Sequence, residues 1–223
     1  MAGPPSLGAA IGACAAPPRV WLNSSTGTIY LDARDRPQDE ATGEIGQGFS
    51  VAVARAWEHE LFAAPTSVRR IALRTAIVLG LGGALNPMIN LARLGAGGPM
   101  GDGGQMVSWV HVDDVYRAIR HLADCDVSGP VNLAAPAPVT NAEFMAAVRA
   151  RFGPGKGLPM PARLLRVGAV VIRTEPELVL KSRWVEPRVL LESGFAFAHP
   201  GLGGALDAIA ARTPRGLLPV QLG

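Results

Sequence analysis

The amino-acid sequence predicts an α/β fold built on a mostly parallel sheet, and three observations support that prediction. Apolar runs at residues 20–22 and 70–79 are hydrophobic on both faces, which is typical of strands covered by helices on either side. Segments with helical periodicity alternate with these runs along the chain. The residues Thr140-Asn141-Ala142-Glu143 form a capping-box sequence that starts one of the predicted helices. Strands that alternate with helices in this way favour a doubly wound sheet.

Composition narrows the class of protein. The chain has 223 residues, of which 48% are hydrophobic and 17% charged, and this balance excludes a globally disordered protein. A net charge of +3 without a run of basic residues predicts no nucleic-acid partner. No apolar stretch approaches the roughly 20 residues that span a bilayer, so we expect no membrane partner. Two isolated cysteines, Cys14 and Cys125, are more typical of a cytoplasmic protein than of a secreted, disulfide-bonded one.

The first half of the chain predicts two helices and two strands. Small apolar side chains predict a short helix within residues 6–16, and residues 20–22 predict a strand that runs into a polar cluster. Residues 70–79 predict a single buried strand that ends at a group of glycines. Between the strands lies an amphipathic helix whose apolar stripe we expect to face the core, formed by Phe49, Val53, Ala56, Trp57 and Leu61.

Four helices and two strands are predicted in the second half. The first helix carries Val112, Val115, Ile119 and Leu122 on one face, with Asp113 or Asp114 as its N-cap. A short strand at residues 131–134 precedes the capping-box helix, where Val139 and Phe144 are spaced for a hydrophobic staple and Gly153 for the end. The remaining elements are a helix bearing Leu164, Leu165, Val167 and Val171, a strand at residues 195–197, and a helix at residues 206–211.

Three motifs are open to a functional or a structural interpretation. Residues 80–85 begin like a dinucleotide-binding fingerprint, but Leu85 occupies the third glycine position, so a glycine turn is the alternative to a phosphate loop. Residues 153–157 lack the Gly-Lys-Ser/Thr ending of a phosphate loop and indicate a linker. His111, Asp113 and Asp114 are metal-ligand types, but at a helix start carboxylates usually cap free N–H groups. We therefore predict no metal site.

Several segments together resemble one protein family. They are Asn23-Ser24-Ser25-Thr26-Gly27-Thr28-Ile29-Tyr30, Leu73-Arg74-Thr75-Ala76-Ile77-Val78-Leu79-Gly80, Ser108-Trp109-Val110-His111-Val112-Asp113-Asp114, Gly129-Pro130-Val131-Asn132-Leu133-Ala134-Ala135-Pro136, and the capping box with Phe144. Leu180-Lys181-Ser182-Arg183 with Pro187, Leu190 and Gly194-Phe195 extends the match toward the C-terminus. As a set they are similar to the extended short-chain dehydrogenase/reductase superfamily, in the epimerase-like branch that carries a small C-terminal domain of unknown function.

This resemblance implies the fold and the domain organisation. It implies the C-terminal half of a Rossmann-like, doubly wound parallel sheet at residues 1–157, followed by a small α-rich domain at residues 158–212 and a tail at 213–223. It also implies NAD or NADP as cofactor, a nucleotide-sugar substrate and the potential to form a homo-oligomer. Members of this branch are usually described as nucleoside-diphosphate-sugar epimerases.

The resemblance also implies site residues. Thr26 matches the superfamily's catalytic Ser/Thr position, whose hydroxyl binds the reacting oxygen; a hydroxyl that merely caps a strand end is the alternative. Tyr30 is the only phenol near it in the sequence and is the second catalytic candidate. The segments that line the nicotinamide in the superfamily imply cofactor contacts from Ser24, Ser25, Arg74, Thr75 and Ile77.

Two departures from the family pattern shape the functional expectation. The chain contains no G-x-G-x-x-G segment, and the first βαβ half that holds the dinucleotide phosphates is missing from this sequence. Aligned on Glu58, the family's Tyr-x-x-x-Lys positions hold Ser50 and Ala54, which cannot provide a phenol and an ammonium. We therefore expect weak activity or none and no tight dinucleotide binding by this chain. The alternative is a non-catalytic remnant, or an interaction module that pairs with another chain.

Overall fold

The computed structural model describes residues 7–154, 157–158 and 181–220. Within them seven helices and seven strands follow one another in mixed order, with a short 3-10 turn (Gly27–Ile29) after the first strand. In chain order the elements are α1 (Leu7–Gly12), β1 (Val20–Thr26), α2 (Phe49–Ala63), β2 (Arg69–Thr75), β3 (Ile77–Leu79), α3 (Leu85–Arg93), β4 (Met106–Val107), β5 (Trp109–His111), α4 (Val112–Asp124), β6 (Gly129–Leu133), β7 (Val139–Thr140), α5 (Asn141–Phe152), α6 (Arg188–Glu192) and α7 (Leu202–Ala210).

The predicted parallel sheet is confirmed. Strands β1, β2 and β6 form a parallel sheet in the order β1-β2-β6, so β2 is central. β3 and β5 form a second parallel pair, and β4 and β7 form a short antiparallel pair that the sequence did not reveal. Because β4 and β7 have only two residues each, they show no side-chain period from which to predict them.

The strand predicted at residues 70–79 is in fact two strands. The chain changes partner at Ala76: the Ala76 amide donates to the Leu133 carbonyl at 3.0 Å, and the next amide, Ile77, donates to the Ser108 carbonyl at 3.3 Å. β2 therefore pairs with β6, whereas β3 pairs with β5. The residues stay apolar throughout, so composition alone could not show this change of partner.

Two consecutive arginines attach the central strand to a helix on each of its faces. The Arg69 guanidinium donates to the carbonyls of Leu122, Ala123 and Val127, at the end of α4. Arg70 donates to the carbonyls of Leu61, Phe62 and Ala64, at the end of α2. Side chains of successive strand residues point to opposite faces, and cations stabilise the negative end of a helix dipole. The pair therefore fixes α2 and α4 on opposite sides of the sheet.

Two predicted helix faces were only partly right: Leu61 in α2 and Leu122 in α4 are buried as predicted, but both helices are rotated relative to the predicted stripe. In α2 the buried positions are Val51, Ala54, Glu58 and Leu61, while Phe49 and Trp57 of the predicted stripe are 78% and 49% exposed. In α4 the buried positions are Asp114, Ala118 and Leu122, and Val112 and Ile119 are exposed. In both helices a carboxylate with buried partners turns inward. Hydrophobic periodicity cannot anticipate such a residue, because it assigns every charge to the solvent face.

The start of α4 and two further elements differ from the predictions. The N-cap of α4 is His111, whose Nδ1 accepts a hydrogen bond from the Asp113 amide at 3.1 Å. Residues 195–197 form a loop instead of a strand, in which Phe195 and Phe197 pack edge-to-face. The final helix begins four residues earlier than predicted, at Leu202. Helix α3 was not predicted, and the helix expected around Leu164–Val171 lies outside the described residues.

The capping box at the start of α5 is confirmed. The Thr140 hydroxyl accepts from the Glu143 amide at 3.3 Å, and a Glu143 carboxylate oxygen accepts from the Thr140 amide at 2.8 Å. These hydrogen bonds lower the pKa of the Glu143 carboxyl. Val139 and Phe144 belong to the same apolar cluster, as the staple predicted, and Gly153 caps the helix end.

The described C-terminal segments share apolar cores with the preceding residues. Helix α7 contributes Leu202, Ala205, Leu206 and Ile209 to the cluster formed by α3, α5 and β5. Leu190 and Phe195 join the cluster between the three-stranded sheet and α4. Residues of the predicted tail pack on α3, where Asn86 and Asn90 donate to the Pro219 and Leu218 carbonyls. The division at 157/158 and 212/213 stays a prediction. None of the helices within the described ranges is long and apolar enough to cross a membrane.

Candidate functional site

The carboxyl ends of three parallel strands place the predicted site residues at one edge of the sheet. Thr26 of β1 lies in register with Thr75 of β2, which lies in register with Leu133 of β6. In open α/β sheets, ligands bind outside the carboxyl ends of the strands. We refer to the region around Thr26, Thr75 and Leu133 as the carboxyl edge.

Thr26 presents a partly buried hydroxyl at this edge. Its Oγ1 accepts a hydrogen bond from the Thr28 amide at 3.2 Å and lies 3.0 Å from the Thr28 hydroxyl. Thr26 is also the N-cap of the 3-10 turn. The hydroxyl keeps the capacity for one further partner, since a hydroxyl provides one donor and two acceptor positions. Both interpretations from the sequence, a cap and a catalytic hydroxyl, are compatible with this geometry.

Arg74, one of the predicted cofactor contacts, is held in a buried ion pair. Its Nε and Nη2 donate to the two carboxylate oxygens of Glu58 at 2.8 and 2.7 Å, a bidentate arrangement. Both side chains are only 10% exposed. Ser25 donates to the same carboxylate at 2.7 Å, so α2 is joined to β1 and β2 at one point. Burial alone would lower the pKa of Arg74, but the hydrogen bonds that it donates to Glu58 and Tyr30 raise it, and the guanidinium stays charged.

Tyr30, the second predicted catalytic residue, is also buried. It is 2% exposed, and its hydroxyl accepts from Arg74 Nη1 at 2.9 Å and donates to Asn132 Oδ1 at 3.0 Å. The Arg74 guanidinium lies 5.0 Å from the ring centroid. Burial raises the pKa of the Tyr30 phenol, and the nearby Arg74 charge only partly offsets this. The phenol is thus protonated at neutral pH and fully engaged, which suits a positioning residue better than a proton-transfer group.

Glu40 and Asn132 complete the network on the side of β6. The Asn132 amide donates to Glu40 Oε1 at 2.8 Å, and its side-chain amide donates to the Glu186 carbonyl at 2.8 Å. Glu40 Oε2 is buried and has no hydrogen-bond partner within the described part of the chain. Burial raises the pKa of the Glu40 carboxyl, which the backbone amides of Asn132 and Val189 only partly counteract. A carboxylate with one unsatisfied buried oxygen is expensive to ionise.

The remaining predicted contacts fall in different surroundings. Ser24 is exposed, on the opposite face of β1 from Ser25. The Thr75 hydroxyl donates to the Leu73 carbonyl at 3.1 Å, and Ile77 packs against the α3/α5 cluster. The structure thus brings Ser25, Tyr30 and Arg74 into one network and places Thr26 and Thr75 side by side in register. It does not bring Ser24 or Ile77 into that network.

The polar groups at the carboxyl edge fit only one end of a nicotinamide dinucleotide. The Arg74 charge is balanced by the buried Glu58 carboxylate, and the Ser25 hydroxyl donates to the same group, so neither side chain presents a free charge to a phosphate. The Thr26 hydroxyl can hydrogen-bond a neutral group such as the carboxamide of nicotinamide. In the segment 80–83, the Gly82 amide donates to the Asn86 side chain at 3.0 Å, and Gly82 and Gly83 adopt φ values of 100° and 53°. These conformations favour glycine and describe a turn that leads into α3.

The two positions that align with Tyr-x-x-x-Lys do not provide substitute chemistry. Ala54 is fully buried among Ile29, Tyr30, Val51 and Val185. Ser50 lies in the first turn of α2, half-buried. Where the superfamily places an ammonium beside the phenol, this chain therefore has an apolar contact.

Sequence reasoning missed three members of the network, namely Glu58, Asn132 and Glu40. Glu58 was used only to align α2 with the family pattern, and Asn132 belongs to one of the segments that resemble the family. One signal was present: Arg74 lies in a strand predicted to be buried on both faces. A buried guanidinium needs a carboxylate partner. Which of the 18 acidic residues supplies it depends on tertiary contacts.

Comparisons with known proteins agree with the family and the fold that the sequence resemblance implies. A family model described as "Domain of unknown function (DUF1731)" matches residues 160–209. The bovine epimerase family protein SDR39U1 is 32% identical over 92% of this chain and 70% of its own length. The crystal structure of the human epimerase family protein SDR39U1 (isoform 2) with NADPH is 31% identical and superposes with a TM-score of 0.82, covering 93% of this chain and 70% of that one. A nucleoside-diphosphate sugar epimerase from Corynebacterium glutamicum is 28% identical, with a TM-score of 0.68 over 87% of this chain and 38% of that one.

The buried ion pair leads to a stability prediction. Glu58→Gln leaves the Arg74 charge without a carboxylate, and we expect the free energy of unfolding to fall by about 3–5 kcal/mol in urea denaturation. The matched control is Glu44→Gln, which removes the carboxylate of an exposed pair with Arg36 and is expected to change stability by at most about 1 kcal/mol. Equal effects of the two substitutions would show that the buried pair contributes no more to the free energy of unfolding than the exposed pair does.

The raised pKa of Glu40 predicts a pH dependence. The folded protein holds the Glu40 proton more tightly than the unfolded chain, so this group's contribution to stability is full below the ordinary carboxyl pKa. It is lost as the pH rises from that value through the raised one. Glu40→Gln should remove this component, and the difference in unfolding free energy between variant and wild type should grow in the variant's favour over that interval. A difference that stays constant with pH would contradict a raised pKa for Glu40. The control is Glu60→Gln, which changes an exposed carboxyl.

Proposed function

Since this chain belongs to the epimerase family that includes the SDR39U1 proteins, we propose that it is an epimerase-like protein. Its proposed substrate is a nucleotide sugar, and its proposed cofactor is a nicotinamide dinucleotide. The observation that carries the proposal is the hydroxyl of Thr26, partly buried at the carboxyl edge and 3.0 Å from the Thr28 hydroxyl. The human relative's structure contains NADPH. The Corynebacterium relative is named for nucleoside-diphosphate sugars.

The roles of the residues follow from their positions. When bound, the cofactor would accept a hydride from the sugar and return it. Through a hydrogen bond from its hydroxyl, Thr26 would hold the oxygen on the sugar carbon from which the hydride leaves. The proton released from that oxygen would pass to water at the partly exposed carboxyl edge. Thr28, 3.0 Å away, orients that hydroxyl. Tyr30, Arg74 and Ser25 act as positioning residues, because all their polar side-chain contacts lie within the buried network.

The chain's own contribution to cofactor affinity is proposed to be small. The carboxyl edge offers no uncommitted cation among the described residues, since the Arg74 guanidinium is bound to Glu58 and Tyr30. Hydrogen bonds to charged groups are worth about 1.5–3 kcal/mol each, so two or three absent phosphate contacts cost about 3–9 kcal/mol. At about 1.4 kcal/mol per factor of ten, this loss is at least about a hundredfold, and the middle of the range, about 6 kcal/mol, takes a micromolar site beyond the millimolar range.

A second candidate is a module that pairs with another copy of the chain. Its supporting observation is the outward face of α2, where Phe49 is 78% and Trp57 49% exposed, next to Leu7 of α1 at 60%. Large apolar side chains grouped on a surface mark interaction sites more often than isolated ones do.

A titration tests the cofactor proposal. Isothermal titration of the chain with NADPH and with reduced nicotinamide mononucleotide should give affinities within about tenfold of each other, both millimolar or weaker, because only the nicotinamide end is contacted. Thr26→Val should weaken both and slow any sugar interconversion followed by NMR. Thr66→Val is the control, since Thr66 precedes the amino end of β2.

Micromolar NADPH binding with far weaker mononucleotide binding would overturn this assignment of contacts. Sugar interconversion that is equal in Thr26→Val and wild type would remove Thr26 from the mechanism. Absence of turnover, together with a sedimentation coefficient that rises with concentration and returns to the monomer value in Trp57→Glu, would favour the second candidate.

A further inference from the structure

Two histidines and an aspartate converge at the carboxyl end of β5, away from the network around Arg74. His111 Nδ1 lies 3.6 Å from Asp113 Oδ2, and His199 Nε2 lies 3.8 Å from the same oxygen. One ligand atom from each residue lies within 4.8 Å of the others. The imidazole centroids are 3.9 Å apart. We call His111, Asp113 and His199 the His–Asp–His cluster.

The backbone holds this cluster from three separate elements. His111 is the last residue of β5 and is 4% exposed, and Asp113 lies in the first turn of α4. His199 lies in the loop before α7. That loop is anchored by Asp114, whose two carboxylate oxygens accept from the Ala198 and His199 amides at 2.7 and 2.8 Å. Asp114, a metal-ligand candidate in the sequence, is therefore fully used as an anchor, and it brings the distant His199 to His111.

The polar atoms of the cluster are largely uncommitted. The two contacts to Asp113 Oδ2 are longer than a hydrogen bond. Among the described residues, no hydrogen bond reaches the Asp113 carboxylate or the His199 ring. The neighbouring Asp114 carboxylate, by contrast, also has a charged partner, because Arg117 Nη1 lies 3.8 Å from its Oδ1. The two imidazole rings are tilted by 36° with their centroids 3.9 Å apart, and no mutual hydrogen bond explains their proximity.

We propose that the His–Asp–His cluster binds a divalent transition-metal ion, with Zn²⁺ as the best match. Two imidazole nitrogens and one carboxylate oxygen are a donor set that Zn²⁺ and its neighbours prefer over Mg²⁺ or Ca²⁺. Three protein ligands leave a fourth position for water or another ligand.

The geometry requires modest adjustment. Ligand atoms about 2.0–2.1 Å from a tetrahedral zinc lie about 3.3–3.4 Å apart. The two separations of 3.6 and 3.8 Å must therefore contract by a few tenths of an ångström, and the imidazole nitrogens, which lie within 4.8 Å of each other, must reach the same spacing. Coordination by His111 Nδ1 replaces the hydrogen bond that this atom accepts from the Asp113 amide at 3.1 Å. His199 is half-buried and Asp113 exposed, so their side chains have room to rotate toward the ion.

Binding is tested with the full-length chain after removal of metals by chelation. Co²⁺ titration followed by visible absorption, with Zn²⁺ competition, should show one saturable site and no thiolate charge-transfer band from Cys14 or Cys125. Zn²⁺ should also raise the thermal midpoint, because it binds the folded chain and joins the loop before α7 to α4.

The variants are His199→Ala and Asp113→Asn, which leave the His111 cap in place. Each should weaken Co²⁺ binding by at least about tenfold while the circular dichroism spectrum stays that of the wild type. His59→Ala is the matched control: His59 faces Glu60 at 3.8 Å in an exposed pair, and its loss should leave binding unchanged. No saturable binding by the wild type, or equal affinity in His199→Ala, Asp113→Asn and wild type, would overturn the proposal.

Discussion

The ion pair between Arg74 and Glu58 is the constraint on which the carboxyl edge depends. A guanidinium and a carboxylate that are each 10% exposed must meet in a bidentate arrangement, because either charge alone would be strongly disfavoured in that position. The requirement fixes how far α2 is rotated about its axis. Glu58 reaches Arg74 only when Val51, Ala54 and Leu61 face the sheet as well. Phe49 and Trp57 are consequently turned outward, although they are, with Phe62, the largest apolar side chains of that helix.

The same pair determines which way the residues of β1 point. Ser25 donates to Glu58, so its side chain lies on the α2 face of the sheet. Because side chains alternate along a strand, Ser24 and Thr26 point to the opposite face. Tyr30 extends the network from Arg74 on β2 to Asn132 on β6. One network of hydrogen bonds therefore connects all three parallel strands. The ion pair therefore sets the sheet face on which Thr26 lies, and its own contacts with Thr28 then orient the hydroxyl.

The sequence was informative where a single local rule decides the structure. Thr140 and Glu143 predicted the start of α5 because the capping box involves only neighbouring residues. The apolar runs predicted parallel strands because burial on both faces leaves no alternating pattern. Resemblance added Thr26 and Arg74, since matching segments carry positions as well as composition. It also proposed Arg74 as a cofactor contact, which stays a prediction; the structure shows that side chain paired with Glu58 and Tyr30.

Prediction failed where a distant residue decides. Asp114 turned inward because the backbone of residues 198–199 meets it, and His111 became the cap of α4 in its place. Residues 70–79 divided into two strands because β6 pairs with the first half of this run and β5 pairs with the second half. His199 joined His111 across 88 positions of sequence, a contact that no motif spacing describes.

A double-mutant cycle on Glu58 and Tyr30 tests the central claim most directly. These two residues share Arg74 as a partner, so they should influence each other only through the buried guanidinium. Urea denaturation of Glu58→Gln, Tyr30→Phe and the double variant should give a coupling energy of about 0.5–3 kcal/mol. Effects that add to within about 0.3 kcal/mol would contradict the account, because they would show that Arg74 does not join α2 to the residues around Tyr30.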